Sequence, residues 1–188
     1  FATKQADLGL DFLYYLPEGD ALEAAAQWPI IAAGLDGRFA TRIDVFGAAD
    51  LAALSPDLAA RARLPLIATE AAVPSDRTAE DRGMVVHAAA PVQTGDEIGV
   101  LVGGILLNRN LDFIDSINRL VYLNAVTGGD RQGTATLFLD DVRVSTNVRL
   151  FEDVRALGTR VSAEVRGAVL GEGRTWLDRA FVVNDWYI

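Results

Sequence analysis

The stretch from Gly133 to Ile188, GTATLFLDDVRVSTNVRLFEDVRALGTRVSAEVRGAVLGEGRTWLDRAFVVNDWYI, decides the fold. TLFLDD (Thr136 to Asp141) and RVSTNV (Arg143 to Val148) are short aliphatic and β-branched runs that predict two strands. RALGTRVS (Arg155 to Ser162) opens a helix that ends near VLGEG (Val169 to Gly173), and RTWLDRAFVVNDWYI supplies two further strands. Strands interleaved with a single helix in this way make an α+β arrangement, not a βαβ series.

Upstream, RGMVVHAAAPV (Arg82 to Val92) and GVLVGGILLNRN (Gly99 to Asn110) form a predicted antiparallel hairpin whose loop, QTGDE, carries Gly95 at the turn. Leu111 to Asn124 has apolar residues at helical spacing and is the expected connector between two modules, residues 1–110 and 111–188. Before the hairpin, DFLYYL (Asp11 to Leu16) predicts a strand stopped by Pro17, Glu18 and Gly19. Asp20 then caps a helix that Pro29 interrupts, Arg42 to Phe46 is a short strand, and AADLAALSPDLAARAR makes one or two short helices, split at Ser55 and Pro56. Leu64 to Thr69 is a further expected strand.

In their order, these segments resemble bacterial extracytoplasmic Cache sensor domains. Gly133 to Ile188 matches the membrane-proximal half, and the hairpin matches the closing strands of a preceding module. The resemblance implies two PAS-like modules built on central antiparallel sheets, with a long N-terminal helix and flanking helices. It also implies a periplasmic location in a receptor such as a sensor histidine kinase, with chemoreceptors as relatives, held between two membrane helices and assembled as a homodimer. In such proteins the strand beginning WYI continues into a further hairpin, so the second module is expected to be incomplete at Ile188, with the membrane helices outside this chain.

Composition bounds the function. With 51% hydrophobic and 23% charged residues, a chain of 188 residues buries one or two ordinary cores. Its 17 Lys plus Arg against 26 Asp plus Glu give a net charge of −9, with no basic run that could follow a phosphate backbone, so nucleic acid is not an expected partner. The absence of cysteine removes disulfides, thiolate metal sites and thiol nucleophiles, and no cofactor or metal is expected. The longest apolar run, Ile98 to Leu107, is too short to cross a bilayer.

Catalytic chemistry is scarce. The one histidine, His87, lies on the strand face opposite Met84, Val86 and Ala88, where it is either structural or a ligand contact. Asp140 and Asp141 are adjacent on a strand end and suit a turn better than acid/base work. Ser145 and Thr146 have no oxyanion-hole signature, and GVLVGG lacks the Lys and Ser or Thr of a phosphate loop. Its Gly103 and Gly104 permit a bulge or close packing. No enzyme activity is expected.

Two sets of residues could instead line a ligand pocket. In the first module they are Trp28, Tyr14, Arg82 and His87, with core filling the alternative for Trp28. In the second they are Arg143, Thr146, Asn147, Arg160, Trp186 and Tyr187, within the segments that carry the resemblance. Arg160 near a helix start could clamp a carboxylate; alternatively Thr159 caps that helix, Arg160 pairs with a neighbouring acid and Asn147 holds a turn. The expected function is ligand sensing by a small molecule, a carboxylate among the candidates, relayed to membrane helices. A non-binding module that dimerises and relays a partner protein's signal is the alternative.

Overall fold

A computed structural model describes residues 2–122, 126, 127, 130, 131, 133–183 and 185–187. The chain packs as two units, Phe1–Ala60 with Arg82–Leu107, and Arg61–Asp81 with Asn108–Ile188. Residues 61–81, which precede the expected division at residue 110, therefore pack with the second unit.

Unit 1 holds α1 (Ala2–Asp7), β1 (Phe12–Leu16), α2 (Glu18–Ala25), α3 (Pro29–Leu35), β2 (Ala40–Phe46) and α4 (Ala48–Leu54). Helix α5 (Pro56–Ala62) follows and runs across the boundary in sequence; β3 (Leu64–Pro65) and β4 (Ala79–Glu80) belong to unit 2. The hairpin β5 (Gly83–Thr94) and β6 (Glu97–Leu106) completes unit 1 and forms an antiparallel sheet in the order β1-β6-β5-β2. Along β5, buried and half-buried residues alternate from Gly83 to Ala90, the period of a strand with one face in the core. Helices α2 and α3 cover that face. Helix α2 starts at Glu18, directly after Pro17, so Asp20 lies in its first turn and is not its cap. Pro29 occupies the first turn of α3, where its missing N–H costs nothing.

Two glycines set the spacing of this layer. A Cβ on Gly34 would lie 2.7 Å from Val100 Cγ1, and one on Gly104 would lie 2.5 Å from Phe12 Cζ and 2.8 Å from the Val86 carbonyl. Gly104 therefore serves close packing. The β5–β6 register runs without a bulge past Gly103 and Gly104.

Unit 2 contains α6 (Leu111–Tyr122), β7 (Val126–Thr127), β8 (Asp130–Arg131), β9 (Thr136–Leu139), β10 (Val142–Thr146), β11 (Arg149–Phe151), β12 (Val154–Arg155), α7 (Ala163–Arg166), β13 (Ala180–Val182) and β14 (Asp185–Tyr187). Residues 123 and 124 of the expected connector helix lie outside the described residues. Asn110 caps α6 by accepting the Phe113 N–H at 3.1 Å. Arg155 holds Asp115 of that helix with two bonds of 2.8 Å.

Among the described residues unit 2 has two-stranded ladders, where one central sheet was expected. The reason lies at β10. Its second edge is taken by the irregular segment 158–161, through Arg143 N–H to Thr159 O, Gly158 N–H to Arg143 O and Val161 N–H to Asp141 O. The expected helix over Arg155 to Ser162 is also displaced. Gly158 has a φ of 77°, so the chain turns there, and Ser162 caps α7, which continues as a wider π-helical turn, Gly167–Gly171. Thr159 is not the cap; its hydroxyl donates to Ala156 O. The strand expected over Leu64 to Thr69 ends at Pro65.

Gly104→Ala should destabilise the chain by roughly 1–3 kcal/mol, because the added methyl displaces Phe12 or the backbone of β5. Urea unfolding measures this, and an unchanged midpoint would contradict the close packing.

Candidate functional site

The two predicted sets fall in different units. In unit 1, Trp28 and His87 meet with ring centroids 5.3 Å apart at 90°. Phe46 stacks on Trp28 at 4.3 Å, and Phe12 lies 6.0 Å from both His87 and Tyr14. Cross-strand pairing makes this group: Arg42, His87, Gly104 and Phe12 face one another on β2, β5, β6 and β1. His87 is fully buried, which settles its place as inside the core rather than facing solvent. Burial raises the Tyr14 phenol above its usual range. Arg82 directly precedes β5, five residues or about 16 Å of extended chain from His87.

In unit 2, three of the six predicted residues are committed to the interior. Arg143 is buried, donates to the Thr159 hydroxyl at 2.8 Å and stacks over Phe138. The Thr146 hydroxyl shares a 2.6 Å hydrogen bond with Thr136. Asn147 accepts the Ala135 N–H at 2.7 Å, the turn-holding role that was its alternative. These side chains hold the β9–β10 hairpin and border neither of the two hollows described below.

Arg160 does border one. A hollow of about 440 Å³ is bounded by residues of the 66–78 strap between β3 and β4, by the Asp140–Asp141 turn, and by Arg160, Arg166 and Leu170. Asp140 takes a φ of 51°, which an aspartate tolerates in a tight turn. That turn directs Asp141, only 6% exposed, toward three guanidiniums. Arg160 Nη1 lies 3.3 Å from its carboxylate, Arg166 Nε 3.6 Å and Arg77 Nη1 3.9 Å. Arg77 also pairs with the buried Glu80.

The strap is tied down along its length. Ile67 N–H donates to Gly158 O, the Thr69 hydroxyl accepts from Arg160 N–H, Ala163 N–H donates to Ala71 O, and the Arg160 guanidinium donates to Val73 O. Arg160 thus bonds the carboxylate and the strap at once. Among the described residues, the partner of the Arg166 side chain, which is 45% exposed, is Asp141 at 3.6 Å.

Trp186 borders a second hollow of about 460 Å³ with Phe181, Glu70 and Glu164. Its ring is 58% exposed and carries the Arg179 guanidinium at 5.6 Å. Of Tyr187 the structure describes only its place in β14; its side chain lies outside the described residues. Among the described residues, no group of three His, Cys, Asp or Glu side chains converges as metal ligands would. None of their helices is long and apolar enough to cross a membrane.

Sequence reasoning missed Arg77 and Arg166. Both are exposed arginines in polar segments, and nothing in the local pattern distinguishes them from Arg149 or Arg174. The available signal was the net charge of −9, because anion capture by an acidic chain needs arginines concentrated in one place.

Residues 105–188 match the model of the family described as single Cache domain 3. Cache domains are in general extracellular ligand-sensing domains, and the match supports a Cache sensor domain here, as does the α+β fold with its antiparallel sheet. No curated protein and no solved structure matches the chain.

Asp141→Asn should lower stability by roughly 1–3 kcal/mol, since it removes the charge that Arg160 and its neighbours face. Arg174→Ala, which breaks an exposed pair with Glu172, should stay within about 0.5 kcal/mol. Denaturant unfolding compares them, and equal effects would mean that the Asp141 cluster is only a surface pair.

Proposed function

We propose that this chain is the extracytoplasmic, ligand-sensing part of a bacterial transmembrane receptor, most simply a sensor histidine kinase. It is built of two PAS-like units, is not itself catalytic, and is a homodimer in the whole receptor. The ligand is a small anion of the carboxylate class, held in the arginine-lined hollow of unit 2. The observation that carries this reading is the convergence of Arg77, Arg160 and Arg166 on a hollow of about 440 Å³ in a chain of net charge −9. Long-range attraction works against an anion here, so local donors must supply the affinity.

Guanidiniums are suited to that task because their planar fork meets a carboxylate with two parallel bonds. Arg166 supplies the uncommitted fork, while Arg160 and Arg77 lend charge from positions held by Asp141, Glu80 and Val73 O. An anion that draws Arg160 toward itself weakens the bond to Val73 O, and with it the tie between the strap and the 158–161 segment. Binding therefore favours one strap position over another, and that difference in affinity is what shifts a population of signalling states. The relay from strap to membrane helices belongs to this proposal.

One observation favours the alternative of a non-binding relay module: Asp141 and Glu80 already face these arginines, as in a purely architectural ion cluster. A thermal-shift screen of small carboxylates, followed by calorimetry, separates the readings. The sensing reading expects a saturable rise in melting temperature for at least one carboxylate. It also expects Arg166→Gln to weaken binding at least tenfold while moving the unliganded melting temperature by no more than about 2 °C. Equal binding by Arg166→Gln, or a ligand effect lost instead in Trp28→Ala, would overturn the assignment to unit 2. No response from any carboxylate would favour the relay module.

A further inference from the structure

The proposed ligand site makes no use of the buried histidine of unit 1. His87 is 0% exposed, its Nδ1 lies 3.1 Å from Asp44 Oδ2, and its Nε2 has no hydrogen-bonding partner among the described residues. Phe46, Trp28 and Phe12 surround the ring at 4.9, 5.3 and 6.0 Å. We propose that this group makes unit 1 acid-sensitive: protonation of His87 places a cation with an unsatisfied N–H among these rings and loosens Trp28, and with it the start of α3, from the sheet.

The charged and titratable groups around His87 decide whether this holds. From β2, Asp44 accepts from His87 and also pairs with Arg42 at 2.8 Å, so its negative charge is already shared with a guanidinium. From β1 comes Tyr14, a neutral phenol behind Phe12, and Asp11, just before the strand, accepts the Leu106 N–H. The buried face of β6 presents Val100, Val102, Gly104 and Leu106, and α3 presents Ile30, Ile31, Ala33 and Gly34, none of which titrates. Glu18, Asp20 and Glu23 of α2 are exposed, and Asp50 of α4 is bound to the Gly47 N–H and to Gln27.

Only Asp44, then, can compensate a charge on His87, and Arg42 competes for it. A neutral imidazole that donates from Nδ1 to Asp44 fits this setting, leaving an acceptor at Nε2. Burial, as the larger effect, lowers the His87 pKa below its ordinary value near 6.5, and Asp44 offsets part of that. A folded value below the unfolded one means that the unfolded chain binds the proton more tightly. The stability from His87 is therefore complete above about pH 6.5 and is lost as the pH falls below it. Trp28 is the residue that transmits the effect, because it caps α3 and stacks on Phe46.

As the only histidine in the chain, His87 gives an unambiguous signal. NMR of the whole 188-residue chain between pH 8 and 5 should show the imidazole remaining neutral until well below pH 6.5. The indole N–H of Trp28, assigned with Trp28→Phe, should broaden or shift over the range in which His87 is protonated, while those of Trp176 and Trp186 stay in place. In a second measurement, the melting temperature should fall more steeply from pH 7.5 to 5.5 for the natural chain than for His87→Asn, which keeps a donor toward Asp44 but cannot be protonated. An imidazole that titrates at or above pH 6.5, or that titrates without any response at Trp28, would overturn the proposal. Equal pH slopes for a folded His87→Asn would do the same; if that variant does not fold, the NMR titration decides alone.

Discussion

The Asp141 carboxylate is the point on which unit 2 depends. It sits at the tip of the β9–β10 hairpin, nearly removed from water, and three guanidiniums from the strap, the 158–161 segment and α7 face it. A carboxylate so placed is costly to desolvate unless its charge is met, and here the cations come from segments far apart in sequence. The cluster thus fixes the approach of the strap to the hairpin as effectively as an apolar contact would. In the proposed sensing role, holding Arg160 and Arg77 in place beforehand would reduce the side-chain freedom lost when an anion binds.

Unit 1 solves a related problem with the opposite materials. Its buried ionisable pair, His87 with Asp44, is enclosed by aromatic rings, with Arg42 holding the other oxygen of Asp44. The helix-covered face depends on Gly34 and Gly104 to admit Val100 and Phe12, so the ring cluster and the backbone layer are set by the same contacts. A dry cluster of this kind tolerates one protonation state, whereas the arginine hollow of unit 2 remains open to small solutes.

Much of this was legible in the sequence where the physics is local. The β5–β6 hairpin followed from two apolar runs around Gly95, the paired helices α4 and α5 from Ser55 and Pro56, and the break before α3 from Pro29. Trp28 and His87 were grouped as candidate pocket residues and meet around a fully buried imidazole, while Arg160 pairs with a neighbouring acid, its alternative, and borders a hollow. What failed was non-local. Thr159 looks like a helix cap, but Gly158 turns the chain and leaves Ser162 to cap α7. Arg143 looks like a ligand donor, but the second edge of β10 is filled by segment 158–161, which buries it. Arg77 and Arg166 acquire their role only because a strap and a helix some ninety residues apart converge on one turn, and no periodicity records that.

The central claim is that the guanidiniums of unit 2 meet a small anion. The most direct measurement is an NMR titration that follows the arginine Nε–H signals of the intact chain against succinate, acetate and inorganic phosphate. The account predicts saturable movement of the Arg160 and Arg166 signals with at least one of the two carboxylates, with Arg174 as an unmoved reference. Signals from Arg160 and Arg166 that stay fixed throughout, in a chain that remains folded, would contradict it.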